Sequence, residues 1–189
     1  YKKKDRVAYV TLNRPQVMNA LHPPAHAELA HAWSDFIDDD DVWVAILTAN
    51  GKIFCAGKDL LEKSSEDDGK VLSNDDLYVL QRSIYKPIVC ALNGPCFAQG
   101  AGATLNADIV IMSERASLGW PQVKRGISSV SGPSMLAQVI PWPQAMGYLM
   151  RGVPIPAADC LRLGLANEVV PHEQLLPVAE RWAKEILEN

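Results

Sequence analysis

Two short segments combine glycine with small and charged residues in a way that could do chemistry. Residues 54–60 (FCAGKDL) follow an apolar run at 42–48, and residues 93–102 (NGPCFAQGAG) follow another at 88–92. Each segment turns through small residues into a predicted helix start. Backbone N–H groups in such turns lack intrahelical partners and lie at the positive end of the helix dipole. Two such turns facing one another could hold one developing oxyanion, a large electrostatic term in acyl and enolate chemistry.

The composition predicts a single reduced globular domain. The chain has 189 residues, 48% of them hydrophobic, and a net charge of -4, which argues against a nucleic-acid partner. No apolar run is long enough to span a membrane. The start YKKK has neither Met nor an apolar stretch, so we expect no signal peptide, missing upstream residues and a cytoplasmic location. The four cysteines are irregularly spaced in apolar surroundings, which predicts buried free thiols rather than a metal site or disulfides.

The order of predicted elements indicates an α/β fold with a sheet core and helices packed outside. A polar stretch at 64–76 is predicted to be a mobile loop. The predicted strands are 6–12, 42–48, 88–92, 109–112 and 117–118, and the predicted helices are 23–37, 75–84, 98–106, 135–140, 143–150, 156–163 and 173–187.

Five segments occur in a recognisable order. They are VTLNRP at 10–15 with MNAL at 18–21, FCAGKDL at 54–60, KPIV at 86–89 with NG at 93–94, ADIVI at 107–111, and LGLANEVVP at 163–171. In this order they resemble the crotonase (enoyl-CoA hydratase/isomerase) superfamily over almost the whole chain. The resemblance implies one core domain over 1–189, built as a spiral of β-β-α units. It also implies assembly as a homotrimer or a dimer of trimers, and a C-terminal helical extension that we expect residues 1–189 not to include.

The resemblance implies a small-molecule substrate, an acyl-coenzyme A thioester, with coenzyme A present as part of the substrate and no separate cofactor or metal. The thioester oxygen would meet the backbone N–H groups of Lys58 and Gln99. Most relatives carry Gly at the second position, but Gln99 keeps the backbone donor and adds a side chain. The residues expected to bind the coenzyme A portion are Ala20, Ala56, Gly57, Lys58, Asp59 and Leu60.

Both carboxylates that hydratases of this family use are missing. The matching positions carry Gly102 and Gln122, neither of which titrates. General acid–base help is worth about 10²–10⁴-fold per group, so standard hydration is expected to be severely impaired. Replacing Gly102 and Gln122 by Glu is therefore expected to raise hydration of crotonyl-CoA.

Other groups could take over the missing roles. Ser128 and Ser131 lie in a loop where relatives with other activities place a catalytic Asp or Ser, although capping of the next helix is the commoner role for Ser. Asp59 could act as an acid, but its position favours capping of a helix start. His22 and His26 would share one helix face and are interpreted as surface side chains.

Three hypotheses remain open from the sequence. The first is an acyl-CoA enzyme of the lyase or isomerase type that works through a thioester enolate without the two glutamates, and isomerisation, decarboxylation, carbon–carbon cleavage or thioester hydrolysis would all fit it. The second is a non-catalytic member that binds acyl-CoA or only packs in an oligomer. The third is a true hydratase whose acid is Asp59, Glu62 or a residue outside this chain.

Overall fold

The computed structural model describes residues 1–60, 73–129 and 131–189. Most of the loop predicted at 64–76, and Glu62, lie outside these residues, although 74–76 already belong to a helix. The elements in chain order are β1 (Lys2–Lys4), β2 (Val7–Leu12), α1 (Pro23–Asp38), β3 (Val44–Ala49), α2 (Asn74–Ser83), β4 (Ile88–Leu92), β5 (Pro95–Phe97), α3 (Gln99–Leu105), β6 (Ile109–Ser113), β7 (Ser117–Gly119), α4 (Ser131–Val139), α5 (Trp142–Arg151), β8 (Ile155–Pro156), α6 (Ala157–Arg162), β9 (Glu168–Val170) and α7 (Leu175–Leu187).

The larger sheet has the strand order β1-β2-β3-β4-β6-β9. Only β1 pairs antiparallel, and the remaining strands are parallel. The central strands β3 and β4 are buried on both faces, as expected for parallel strands covered by helices. The prediction of a fully buried strand from the apolar run at 42–48 is confirmed, with the strand beginning at Val44.

The two faces of the larger sheet pack against different partners because strand side chains alternate. Val44 and Ile46 of β3 face α7 and pack in one cluster with Ala179. Ala45 and Leu47 of the same strand face a larger cluster that includes Trp33 and Phe36 of α1. None of the helices described is long and apolar enough to cross a membrane.

The chain winds as a spiral between two sheets. The second, smaller sheet has the order β5-β7-β8. One turn of the spiral runs β4, β5, α3, and the next runs β6, β7, α4, so each turn visits the larger sheet, the smaller sheet and a helix. The preceding turn of the spiral runs from β3 to Cys55, and Cys55 forms a parallel bridge with Cys96 of β5. This arrangement confirms the α/β fold class and the expected β-β-α units.

Four short strands, β1, β5, β8 and β9, were not predicted. Each has only two or three residues, too few for an alternating pattern, and their pairing is set by the fold around them. The predicted start of α4 at 135 was wrong, because the helix begins at Ser131. The last helix starts at Leu175, since His172–Gln174 forms a 3₁₀ turn instead.

Candidate functional site

Asn19 holds the loop that supports the first glycine turn. Its side-chain oxygen accepts the Arg14 N–H at 2.7 Å, and its amide group donates to the carbonyls of Asn50 and Ile53, both at 2.8 Å. The residue is 2% exposed and has a φ of 52°, a left-handed conformation that Asn adopts more readily than most residues. The Asn19 carbonyl also accepts the Cys55 thiol at 3.3 Å. Asn19 thereby joins the loop before α1 to the glycine turn.

The Lys58 N–H points away from Leu21, the residue with which Lys58 forms a bridge. The Leu21 N–H donates to the Gly57 carbonyl, and the Asp59 N–H donates to the Leu21 carbonyl, each at 2.8 Å. This is a parallel bridge in which Leu21 bonds to the residues on either side of Lys58. The peptide groups of Lys58 itself therefore point to the opposite side. Among the residues that the structure describes, no group accepts the Lys58 N–H.

The second turn leads from β5 into α3 through Ala98. Ala98 has φ 52° and ψ −112°, a sparsely populated conformation for a residue with a side chain. Its N–H donates to the Gly119 carbonyl at 2.8 Å, which fixes the turn to the end of β7. Gln99 is the first residue of α3, and within residues 1–60, 73–129 and 131–189 nothing accepts its N–H. First-turn N–H groups have no intrahelical partner.

The two turns lie side by side because Cys55 and Cys96 form a parallel bridge. Lys58 follows Cys55 by three positions, and Gln99 follows Cys96 by three positions. Parallel pairing keeps the same offset on both segments, so the two N–H groups come at matching places in neighbouring turns of the spiral.

The two turns approach each other closely at Gly57. A Cβ at this position would lie 2.9 Å from the Ala98 Cβ, 3.3 Å from the Phe97 carbonyl oxygen and 3.7 Å from the Gln99 nitrogen. The φ of Gly57 is +96°, a conformation that residues with a Cβ rarely adopt. Glycine is therefore required here both by conformation and by space.

The Gln99 side chain is buried against His26. The His26 Nε2 lies 3.1 Å from the Gln99 Nε2 and 3.2 Å from its Oε1, and both residues are about 95% buried. The interpretation of His26 as a surface residue was wrong, because α1 packs this side chain toward α3. His22 also has a structural role: its Nδ1 accepts the Ala25 N–H at 3.3 Å and caps α1.

The space beside Gly102 is filled by Tyr78. A Cβ built on Gly102 would collide with the hydroxyl oxygen and Cζ of Tyr78 and would lie 2.9 Å from its Cε1. The Tyr78 ring comes from α2 and is 7% exposed. A glutamate at position 102 therefore does not fit unless Tyr78 moves or is shortened.

Gln122 and Ser128 line one cavity of about 510 Å³. This cavity is bounded mainly by apolar side chains, among them Trp120 and Met146. The Gln122 Oε1 is buried and has no hydrogen-bond partner in the part of the chain that the structure describes. The segment carrying Gln122 starts directly after β7, whose last residue holds the Ala98 turn. Ser131 does not line this cavity and instead begins α4.

The residues expected to bind coenzyme A come from two adjacent segments. The Ala56 N–H donates to the Met18 carbonyl at 3.0 Å, so Ala20 and Ala56 lie on neighbouring stretches of backbone. Asp59 pairs with Arg14 at 3.5 Å. The helix start that Asp59 was expected to cap lies outside the described residues.

Ala20 lines a second cavity, of about 340 Å³, together with Asn19, Arg14 and Leu21 among others. Lys58 and Leu60 are exposed.

All four cysteines are buried free thiols, as the sequence predicts. Burial raises the pKa of Cys55 from an ordinary value of 9.0 to about 11, and those of Cys90 and Cys160 to about 12. The thiols therefore stay protonated at neutral pH and can donate hydrogen bonds. Across the residues described here, no three His, Cys, Asp or Glu side chains converge as metal ligands would.

The free energy of unfolding is expected to fall as pH rises above about 9. A thiol whose pKa is higher in the folded state favours folding fully below its unfolded pKa, and this contribution is lost as pH rises through the folded pKa of about 11 to 12. Urea midpoints measured from pH 7 to pH 10.5 check this. The Cys160→Ala variant should lose less stability over the same range, and equal losses in both proteins would contradict the assignment.

Three residues of the site were not recognised as such from the sequence. Asn19 lies within the MNAL motif, but its three loop-bridging hydrogen bonds depend on the fold. Tyr78 and His26 lie on separate helices, far in sequence from the Gln99 region that they contact. No local pattern signals either contact, since both arise from packing between elements.

Comparison with known proteins agrees with the β-β-α spiral described above. The chain belongs to the enoyl-CoA hydratase/isomerase family, whose family model matches residues 2–189. It is 35% identical over 188 residues to a mevalonyl-coenzyme A hydratase of Aspergillus fumigatus, covering 97% of this chain and 70% of that protein. It is 34% identical over 187 residues to an (E)-benzylidenesuccinyl-CoA hydratase of Thauera aromatica, covering 96% and 73%.

Solved structures are similar along the full chain. A crystal structure of an enoyl-CoA hydratase/isomerase from Mycobacterium paratuberculosis matches with a TM-score of 0.90 at 31% identity, covering 100% of this chain and 75% of that chain. A carnitinyl-CoA hydratase from Mycobacterium avium matches with a TM-score of 0.87 at 32% identity, covering 100% and 74%.

Proposed function

We propose that this chain binds an acyl-coenzyme A thioester and stabilises its enolate with the backbone N–H groups of Lys58 and Gln99. The observation that supports the proposal is the parallel Cys55–Cys96 bridge, because Lys58 and Gln99 each follow one of the bridged residues by three positions. Donors that are held in place before reaction stabilise developing charge without reorganisation. The relatives named as hydratases of coenzyme A esters support the same substrate class.

The reaction is an enolate reaction that does not use the two-carboxylate hydration route. Gly102 and Gln122 supply no titratable group, so two-glutamate water addition has no acid or base there. Decarboxylation meets this restriction: the carbon–carbon bond breaks, CO2 leaves, and the electron pair forms the enolate before a proton returns to the α-carbon. Isomerisation, other carbon–carbon cleavage and thioester hydrolysis each need a base from another residue. The Ser128 hydroxyl, which lines the same cavity as Gln122, could orient a water or the thioester but is not itself a base at neutral pH.

A second candidate is binding of acyl-CoA without catalysis. The observation that favours it is Tyr78, which fills the space that the Cβ of any side chain at position 102 would need. A single substitution at Gly102 therefore does not supply a carboxylate there. The two candidates share the substrate class and differ in whether a product forms.

The coenzyme A portion is proposed to lie along Ala20, Ala56 and the segment 57–60, with the exposed Lys58 side chain facing its phosphates. Ammonium groups pair well with phosphate oxygens. We also propose that the chain assembles as a homotrimer or a dimer of trimers in the cytoplasm.

Calorimetric titration with coenzyme A, acetyl-CoA and crotonyl-CoA tests the substrate class. Crotonyl-CoA carrying ¹³C at its carbonyl is then followed by infrared spectroscopy, because hydrogen bonding lowers the carbonyl stretching frequency. Binding with a lowered frequency is expected. No binding to either ester, or an unshifted band in the bound ester, would overturn the proposal.

Mass spectrometry of the ester mixtures separates the candidate reactions. A mass gain of one water with crotonyl-CoA would show a hydratase whose acid lies elsewhere, contrary to the interpretation of Gly102 and Gln122. A lowered carbonyl frequency with no water addition favours the other enolate reactions, to be sought with malonyl-type and β-keto esters. Tight binding with no product from any ester favours the non-catalytic candidate.

A further inference from the structure

The Tyr78 hydroxyl contacts the backbone of the second turn directly. It donates to the Gln99 carbonyl oxygen at 2.9 Å. A carbonyl oxygen has two lone pairs, so this bond can be made in addition to the helical one. A phenylalanine would fill the same space beside Gly102, but only a hydroxyl reaches Gln99. The Tyr78 hydroxyl therefore does more than fill the space beside Gly102, because it also forms a hydrogen bond with the second turn.

The Cys55 thiol contacts the other end of the same peptide. Its Sγ accepts the Gly57 N–H at 3.3 Å and packs against Gly100. The fit is close, because a Cβ on Gly100 would lie 2.8 Å from the Cys55 Sγ. One thiol thus binds the N–H of the residue before Lys58 and packs against the residue after Gln99, and so joins the two turns.

We propose that Tyr78 and Cys55 are positioning residues that hold the two N–H donors at Lys58 and Gln99. The peptide between Gln99 and Gly100 accepts a hydrogen bond from Tyr78 at its carbonyl and has the Cys55 thiol packed against Gly100. The Gln99 side chain is held by His26, so three separate contacts surround this residue. This inference rests on the proposed function, because positioning matters only if the two donors bind a thioester oxygen.

The test is the Tyr78→Phe variant, with Tyr148→Phe as a matched control. Tyr148 also donates one hydrogen bond, to Asp159 at 2.8 Å, but lies on α5 away from both turns. In Tyr78→Phe the carbonyl band of bound crotonyl-CoA is expected to move back toward its free frequency. Affinity for crotonyl-CoA should fall about 2- to 10-fold, the range for one hydrogen bond. Affinity for coenzyme A itself should stay the same, and Tyr148→Phe should match the wild type in every respect.

Cysteine variants test the second contact independently. Cys55→Ala removes the acceptor and is expected to reduce the band shift, while Cys55→Ser keeps a donor and acceptor and should restore part of it. Cys160→Ala, which also removes a buried thiol, should leave the band unchanged.

The outcomes separate this inference from the proposed function. A band shift that is equally large in wild type, Tyr78→Phe and Cys55→Ala overturns the positioning roles and leaves the proposed function standing. A wild-type protein that binds crotonyl-CoA without any band shift overturns both. A parallel loss of affinity for coenzyme A and crotonyl-CoA in Tyr78→Phe, with the band unchanged, would mean that the hydroxyl serves only the fold.

Discussion

Substituting Gly57 by Ala is expected to abolish the carbonyl band shift of bound crotonyl-CoA. A Cβ at this position would be 2.9 Å from the Ala98 Cβ, so the two turns must separate. The substitution also forces a residue with a side chain into φ +96°. Separation moves the Lys58 N–H away from the Gln99 N–H. Loss of one oxyanion donor costs about 10²–10³-fold in rate, and any turnover found with an acyl-CoA ester should fall by this factor.

Gly164→Ala is the matched control for Gly57→Ala. Gly164 also has a positive φ, +77°, but a Cβ there would meet nothing within 4 Å. This variant therefore has the conformational strain without the collision. It should lose some thermal stability while keeping the band shift and the affinity for crotonyl-CoA. If both variants keep the band shift, the two turns do not form the donor pair.

The two glycine turns can be predicted from the sequence because their signals are local, whereas the pairing of the Lys58 and Gln99 N–H groups as donors stays a prediction. A glycine turn after a buried strand is visible in FCAGKDL and in NGPCFAQG, and parallel strands place such turns at the same edge of a sheet. The bridge between Cys55 and Cys96 supplies the register that the sequence alone lacks. It is formed by a three-residue strand and a single bridged residue, both too short to leave a pattern.

The surroundings of the donors could not be predicted because they depend on contacts between helices. The sequence shows only that position 102 lacks a carboxylate. The structure shows that α2 brings Tyr78 into that place and that α1 brings His26 to the Gln99 side chain. A buried histidine on an amphipathic helix has no local feature that separates it from an exposed one. Which helix face is covered by α3 is settled only by the packing of the whole spiral.

The substitution Gly102→Glu is expected to destabilise the protein rather than restore hydration. The sequence alone suggested a gain, but the new Cβ would collide with the Tyr78 hydroxyl. Overpacking of a core typically costs about 1–3 kcal/mol, and burial of an unpaired carboxylate adds to this. Even Gly102→Ala should lower the melting temperature. Gly147→Ala is the control, because it is also a helix-interior glycine but has open space, and alanine there should be neutral or stabilising.

A double-mutant cycle identifies Tyr78 as the cause of this loss. Tyr78→Ala removes the ring, so Tyr78→Ala with Gly102→Glu should be more stable than the sum of the two single effects predicts. Adding Gln122→Glu, which keeps the size of the side chain, then gives the chain both carboxylates with room for each. Hydration of crotonyl-CoA is expected only in this triple variant. Hydration by Gly102→Glu/Gln122→Glu with Tyr78 intact would show that the tyrosine does not close the site, whereas a folded but inactive triple variant would show that positions 102 and 122 are not where this family's carboxylates act.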